Sequence, residues 1–330
     1  MKNSELHPLY GWIPYKIAVG DGNTVCYWID TYNKAYTEPF FFETLGKLRR
    51  IPRKFVYQRS VSDLSMLLEW AEQIEHIVPT AFIFHISRCG STLMSQLLGL
   101  DEQNISLSEV PIFDNILRLR YKIPQISETY TSKLLKAALK FYGQKRTGTE
   151  KHLFIKTDSW HIHFHKQLRD LYPRTPFILL YRIPNEVFES QTKLRGIQAV
   201  PGLIEPEVFG FGSDSVLLDL DTHIANVLSS YLNGYLKAIA TDDLTLLVNY
   251  NEGIMPLMDK LSSFTQTEIS LAIKQKMKDR ANYHSKQPGE LFSEKLSMTA
   301  PVFLQEALDL YQQVEQKRLE KQQQPDYKYL

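Results

Sequence analysis

The stretch FIFHISRCGSTLMSQLL, Phe82 to Leu98, runs from an apolar strand through a small polar turn into a helix. Ser87 to Gly90 turn the chain so that Ser91 and Thr92 open the helix. Backbone N–H groups at a helix start have no partner inside the helix and point at whatever anion sits in the turn. Gly90 lets the backbone come close, Arg88 adds a planar cation, and the Ser91 and Thr92 hydroxyls can donate to phosphate-like oxygens. The alternative is a capped helix beside an exposed arginine. The lysine that ATP and GTP hydrolases place after the glycine is absent, because Gly90 is followed by Ser91.

A second segment, FILLYRIPNEVFESQ from Phe177 to Gln191, is also a buried strand that stops at a cation. Arg182 ends the strand, Pro184 opens a helix, and Ser190 follows two turns on. Arg182 and Ser190 could hold one phosphate between them; alone, they read rather as a strand-capping arginine and a solvent-exposed serine. Together the two segments point further. Parallel strands of a doubly wound sheet send their carboxyl ends to one edge, where such sheets bind ligands, so one ligand with two separated anionic groups satisfies both.

The elements that must position these residues are strands at Thr80 to His85, Ile105 to Ser108, His152 to Lys156, Phe177 to Tyr181 and Leu244 to Asn249. Helical segments separate them at Thr92 to Leu100, Ser132 to Tyr142, Phe164 to Leu171 and Asn185 to Leu194. Short apolar strands alternating with helices imply an α/β fold with a doubly wound parallel sheet flanked by helices. Residues 1–75 form a small aromatic-rich accessory region, with VCYWID as a strand after a GDGN turn and an amphipathic helix from Val61 to Ile77 leading into residues 76–330. The C-terminal part is helical, with candidates at Leu217 to Ala240, Ile254 to Phe264, Thr267 to Arg280 and Pro301 to Leu319.

With 330 residues, 43% hydrophobic and 23% charged, the chain buries a full core. A formal net charge of +1 argues against a general nucleic-acid binder. Cys26 and Cys89 lie far apart on unlike segments, so both read as free thiols in a reducing compartment. The N-terminus lacks the apolar core of a signal peptide, and no run approaches the roughly 18 apolar residues of a membrane span, which leaves a cytoplasmic location as the expectation. Oligomeric state is open.

HISRCGSTLM resembles the loop of sulfotransferases that holds the 5′-phosphosulfate of 3′-phosphoadenosine 5′-phosphosulfate (PAPS), and RIPNEVFES is similar to that family's 3′-phosphate motif, with the same Arg-to-Ser spacing. Ser87, Cys89 and Ser91 stand where the family usually has Pro, Ser and Thr, and Ile183 and Glu186 where it has Asn and Asp. The similarity runs from about Pro79 to Glu252, where Tyr250 to Gly253 resembles the family's Tyr-Glu-x-Leu turn. It implies a P-loop sulfotransferase fold and transfer of a sulfuryl group from PAPS to a hydroxyl or amine acceptor, without a metal. It also implies that Ser87, Arg88, Cys89, Gly90, Ser91 and Thr92 form the 5′-phosphosulfate loop, that Arg88 supports the oxygen joining phosphorus to sulfur, and that Arg182 and Ser190 recognise the 3′-phosphate.

The acceptor must lose a proton as it attacks, which calls for a carboxylate or histidine within hydrogen-bond reach. Glu109, at the end of the strand after the loop helix, looks like the glutamate base of some sulfotransferases; its other reading is an inert helix N-terminal carboxylate. In KTDSWHIHFHK, Lys156 ends a strand on the same edge, as a lysine often does in the family, and Asp158 is a reserve base. His161 and His165 could share a helix face as metal ligands do, but without a third well-spaced ligand they read as surface or core-edge residues. The long segment Gly196 to Asp214 reads either as a cover for the acceptor or as a packed connection, and Arg280, His284 and Lys286 as late basic contacts or a solvated face. A kinase-like P-loop enzyme and a catalytically inactive nucleotide-binding or interaction module are the competing readings.

Overall fold

The computed structural model describes residues 8–20, 23–51, 60–283 and 300–323. Strand β1 (Trp12–Val19) pairs antiparallel with β2 (Thr24–Asp30), closed by a Gly20 N–H to Asn23 carbonyl bond of 2.9 Å. After helix α1 (Phe41–Arg50), β3 (Ser60–Asp63) adds to the free edge of β2. The helix expected from Val61 to Ile77 is therefore corrected to this strand followed by a shorter α2 (Leu64–Ala71). The reason is local. The Asp63 carboxylate accepts from the Met66 N–H at 3.0 Å, so the helix begins after Asp63, and β-branched Val61 is left to pair with Tyr27.

The main layer alternates as expected. In order come β4 (Ala81–His85), α3 (Ser91–Leu98), β5 (Asn104–Ser108), α4 (Pro111–Leu117), α5 (Leu119–Lys122), α6 (Glu128–Tyr142) and β6 (His152–Lys156). There follow α7 (His165–Leu171), β7 (Phe177–Tyr181), α8 (Pro184–Lys193), α9 (Leu220–Thr241), β8 (Thr245–Asn249), α10 (Ile254–Thr265), α11 (Leu271–Ala281) and α12 (Gln305–Gln323). The five strands form one parallel sheet in the order β5-β6-β4-β7-β8. Every residue of β4, β7 and β8 is buried, which is why these strands read as unbroken apolar runs. Helix starts depart from expectation where a capping side chain decides them: Ser127 moves α6 forward to Glu128, Asp219 delays α9 to Leu220, and Ser270 delays α11 to Leu271.

The N-terminal sheet packs against α6. The Trp28 ring meets Phe141 edge-on at 4.8 Å, and Phe41 and Phe113 approach Tyr142 at 5.2 and 5.0 Å. The buried Tyr142 hydroxyl donates to the Pro14 carbonyl at 2.8 Å, so apolar burial and a satisfied polar group join the two regions in one core. The segment from Gly196 to Asp214 is a chain of short 3-10 turns that buries Ala199, Ile204, Val208 and Phe209 but leaves Ile197 and Leu203 exposed. Cys26 and Cys89 are separate buried thiols. No helix among the described residues is long and apolar enough to cross a membrane.

Candidate active site

Strand order brings the chemistry to one edge. Glu109 follows β5, Lys156 ends β6, the glycine turn follows β4, Arg182 follows β7 and Tyr250 follows β8, and all five strands run parallel. Because β4 and β7 are direct neighbours, the turn and Arg182 leave adjacent strand tips, about 5 Å apart in a sheet.

The turn is built from backbone that most side chains avoid: φ is 68° at Ser87, 48° at Arg88 and 80° at Gly90. A Cβ at Gly90 would lie 2.0 Å from Cε2 of Tyr250, so glycine is required both by conformation and by that ring. The Ser87 N–H donates to His85 Nδ1 at 3.1 Å, and the Ser87 hydroxyl oxygen accepts from the side-chain amides of Gln191 and Gln198, each at 3.0 Å. With two donors on that oxygen, its own proton is left for a further acceptor on the cavity side. Arg88 donates to the Leu194 carbonyl, and the Cys89 thiol turns inward to the Leu180 carbonyl at 3.5 Å. Burial pushes the Cys89 thiol up to about 11. Ser91 and Thr92 line the cavity at the start of α3, ahead of the first ladder bond from the Met94 N–H to the Gly90 carbonyl.

Across the cavity, the buried Lys156 ammonium donates to Glu109, whose carboxylate also lies 3.4 Å from His85 Nε2. Glu109 itself sits at φ 52°, fixed by its N–H bond to the Lys156 carbonyl at 2.9 Å. Burial would raise the Glu109 carboxyl, but Lys156 and His85 together bring it down to about 2. Burial, reinforced by Lys156, lowers His85, which favours the neutral ring, with Nε2 bonded to the Thr157 carbonyl at 2.9 Å and Nδ1 accepting from the Ser87 N–H.

Asp158 stands in the same cavity with the opposite tendency. Burial, followed by the Asp114 and Glu109 charges, raises its carboxyl well above the usual range. Asp114 is held as a carboxylate by Trp160 Nε1 at 2.6 Å, His161 Nε2 at 3.2 Å and Arg118 at 2.8 Å. Ligand atoms of Asp114, Asp158 and His161 lie within 4.8 Å of one another, yet both nitrogens of His161 are engaged, since Nδ1 accepts from the Asp158 N–H. His165 does not join them: its Nε2 is 2.9 Å from Asp242.

The segment after β7 presents Arg182, 5% exposed, with its Nε donating to Glu186 and its guanidinium 5.2 Å from the Tyr250 ring. The ring of Tyr250 thus touches the glycine turn and faces Arg182. Ser190 lies half-buried on α8. The cavity between turn, Glu109 and Asp158 measures about 410 Å³ and is completed by Phe40, Phe42, Trp160 and Ile197 among others. Sequence reasoning missed Asp114, Gln191 and Gln198, whose types and spacing carry no motif. Of the late basic group, Arg280 donates to Gln96 on α3 at 2.7 Å, and His284 and Lys286 lie outside the described residues.

No family model matches the sequence, and no curated protein matches it. Similar solved structures include a sulfotransferase from Mycobacterium avium, 13% identical over 88% of this chain and 88% of that one, with a TM-score of 0.49. The sulfotransferase domain of the Synechococcus PCC 7002 olefin synthase is 17% identical over 74% of this chain and 95% of its own, with a TM-score of 0.46. The sulfotransferase domain from the curacin biosynthetic pathway is 14% identical over 60% of this chain and 77% of its own, with a TM-score of 0.42.

Proposed function

We propose that this chain is a sulfotransferase that moves a sulfuryl group from PAPS to a hydroxyl or amine acceptor. The observation that carries the reading is the adjacency of β4 and β7, which sets a glycine turn rich in N–H and hydroxyl donors beside a buried arginine at the neighbouring strand tip. One nucleotide with phosphates at both its 5′ and 3′ positions matches that pair of anion sites. Gly90, Ser91 and Thr92 would hold the 5′-phosphate, the Ser87 and Arg88 groups the bridging oxygen and sulfate, and Arg182 with Ser190 the 3′-phosphate. Cys89 contributes through its backbone, because its thiol is committed to Leu180.

In the transfer, the acceptor oxygen or nitrogen forms a bond to sulfur while the bond from sulfur to the bridging oxygen breaks. The electron pair stays on that oxygen, now part of the 5′-phosphate of the departing bisphosphate. The acceptor's proton passes to the Glu109 carboxylate, which lines the cavity and is oriented by Lys156. A neutral Asp158 complements it as a hydrogen-bond donor, two carboxyls with separate roles set by their surroundings. A sulfate carries a single negative charge, so N–H dipoles and protein cations suffice for the departing group and no metal is invoked. Two separate buried thiols fit a reducing, cytoplasmic setting.

Thermal unfolding tests the reading. Adenosine 3′,5′-bisphosphate without Mg²⁺ raises the melting temperature, whereas a kinase-like enzyme responds to ATP with Mg²⁺ instead. Transfer of labelled sulfate from PAPS, lost in Glu109→Gln while bisphosphate binding persists, separates an enzyme from an inactive binding module.

A further inference from the structure

The acceptor side of the cavity narrows the class of molecule it takes, an inference that rests on the proposed sulfuryl transfer. Of the ionisable side chains lining the cavity among the described residues, Arg88 is the cation, against the carboxyl groups of Glu109, Asp114 and Asp158. Arg88 belongs to the donor turn. Lys156 is buried behind Glu109, and Arg118 is consumed by Asp114 and by Glu205 at 2.6 Å. Among the described residues, an acceptor bearing a carboxylate or sulfate would therefore meet carboxyl groups and no available cation once the donor is in place.

The rim has the opposite character. Phe42 is 60% exposed and Ile197 is 51% exposed, yet both line this cavity from separate segments. Phe40 stacks on Phe42 with ring centres 5.7 Å apart and planes 16° from parallel. Ile197 does not hang on a free loop. Its neighbour Gln198 is bonded to Ser87 through its side chain and to His223 through its carbonyl, and Gly196 N–H bonds Gln191 at 2.9 Å. Large apolar side chains held out toward water at the mouth of a polar cavity mark a surface that something apolar covers. The cavity itself, about 410 Å³, has room for the sulfuryl end of a donor and a small reacting head.

We propose that the acceptor is an uncharged alcohol or phenol on an apolar body, its hydroxyl beside Glu109 and its body leaving the cavity between the Phe40–Phe42 pair and Ile197. The N-terminal residues 1–75 then supply half of the acceptor rim. The hydroxyl proton goes to Glu109 and its oxygen bonds to sulfur, as in the step above.

The test compares phenol, 4-butylphenol and 4-hydroxybenzoate as acceptors with PAPS, and their binding to the protein–bisphosphate complex by calorimetry. Each methylene that the rim removes from water is worth a factor of about three to four, so two contacted methylenes favour 4-butylphenol over phenol by about tenfold. The carboxylate of 4-hydroxybenzoate lowers kcat/KM below that of phenol. Phe42→Ala combined with Ile197→Ser erases most of the butyl preference and leaves bisphosphate affinity unchanged. Preference for 4-hydroxybenzoate or for a sulfated disaccharide, a butyl preference that survives both substitutions, or no binding of 4-butylphenol to a complex that does hold bisphosphate would overturn the proposal. Failure to bind bisphosphate at all would instead remove the sulfuryl-transfer reading beneath it.

Discussion

Gly90→Ala probes the donor turn at its tightest point. The new methyl carbon would sit 2.0 Å from Tyr250 Cε2 and 2.3 Å from Cδ2, distances at which atoms cannot coexist, and it would occupy a backbone with φ at +80°. The left-handed backbone costs a residue with a Cβ about 1–2 kcal/mol. Moving the Tyr250 ring away also gives up its contact with the Arg182 guanidinium, a further 0.5–1 kcal/mol or about that. The single substitution should thus lower stability by about 1.5–3 kcal/mol, read as a shift of the urea midpoint at unchanged slope. Removing the ring as well, in Gly90→Ala with Tyr250→Ala, relieves the collision and leaves the backbone term. Tyr250→Ala should then cost about 1 kcal/mol less in the Gly90→Ala background than in the native one. Bisphosphate affinity, by calorimetry, should fall at least tenfold in the single variant, since the turn N–H groups move with the backbone. Additivity of the two substitutions within about 0.5 kcal/mol, or an unaltered affinity, would refute the reasoning.

Two carboxyls give opposite pH signatures. Glu109, held at about 2 against an ordinary value of 4.5, contributes stability that is complete above pH 4.5 and is lost as pH falls toward 2. The stability gap between the native protein and Glu109→Gln, measured by urea unfolding, should narrow as pH is taken from 5 to 3. Asp158, raised well above its ordinary 3.8, binds a proton in the folded state that the unfolded chain has released, so it costs stability increasingly as pH rises past that value. Asp158→Asn, which keeps an oxygen to accept the His161 N–H, should therefore be more stable than the native protein at pH 8 and equal to it near pH 3. A gap with the reverse slope would contradict the assignment of a neutral Asp158.

The sheet and the polar residues at its strand tips were legible because strands buried on both faces leave continuous apolar runs, and the residue that ends each run is polar: His85, Lys156 and Arg182 stand out against FIF, LFI and FILLY. The helix stripe read from Val61 onward misled, since three residues of strand and an Asp63 cap fit the same apolar positions. The turn itself was visible in Gly90, but not the positive φ of Ser87, Arg88 and Glu109, which the surrounding packing imposes on residues with no preference for it. Glu109 and Lys156 were each picked out singly. Their contact depends on β5 lying beside β6 in the sheet, and strand order is not written in local sequence. Asp114, on α4, lines the cavity and is held there by Trp160, His161 and Arg118, of which the first two are more than forty residues away in the chain, so nothing near it in the sequence marks it.

The central claim, that one nucleotide carries a phosphate to each of two neighbouring strand tips, is tested most directly by a binding cycle. Calorimetry would compare adenosine 3′,5′-bisphosphate with adenosine 5′-phosphate on the native protein and on Arg182→Ala. A charge-assisted hydrogen bond contributes about 1.5–3 kcal/mol, so the native protein should favour the bisphosphate by roughly ten- to a hundredfold, and Arg182→Ala should bind the two nucleotides almost equally. A 3′-phosphate preference that survives the substitution, or none in the native protein, would contradict the account.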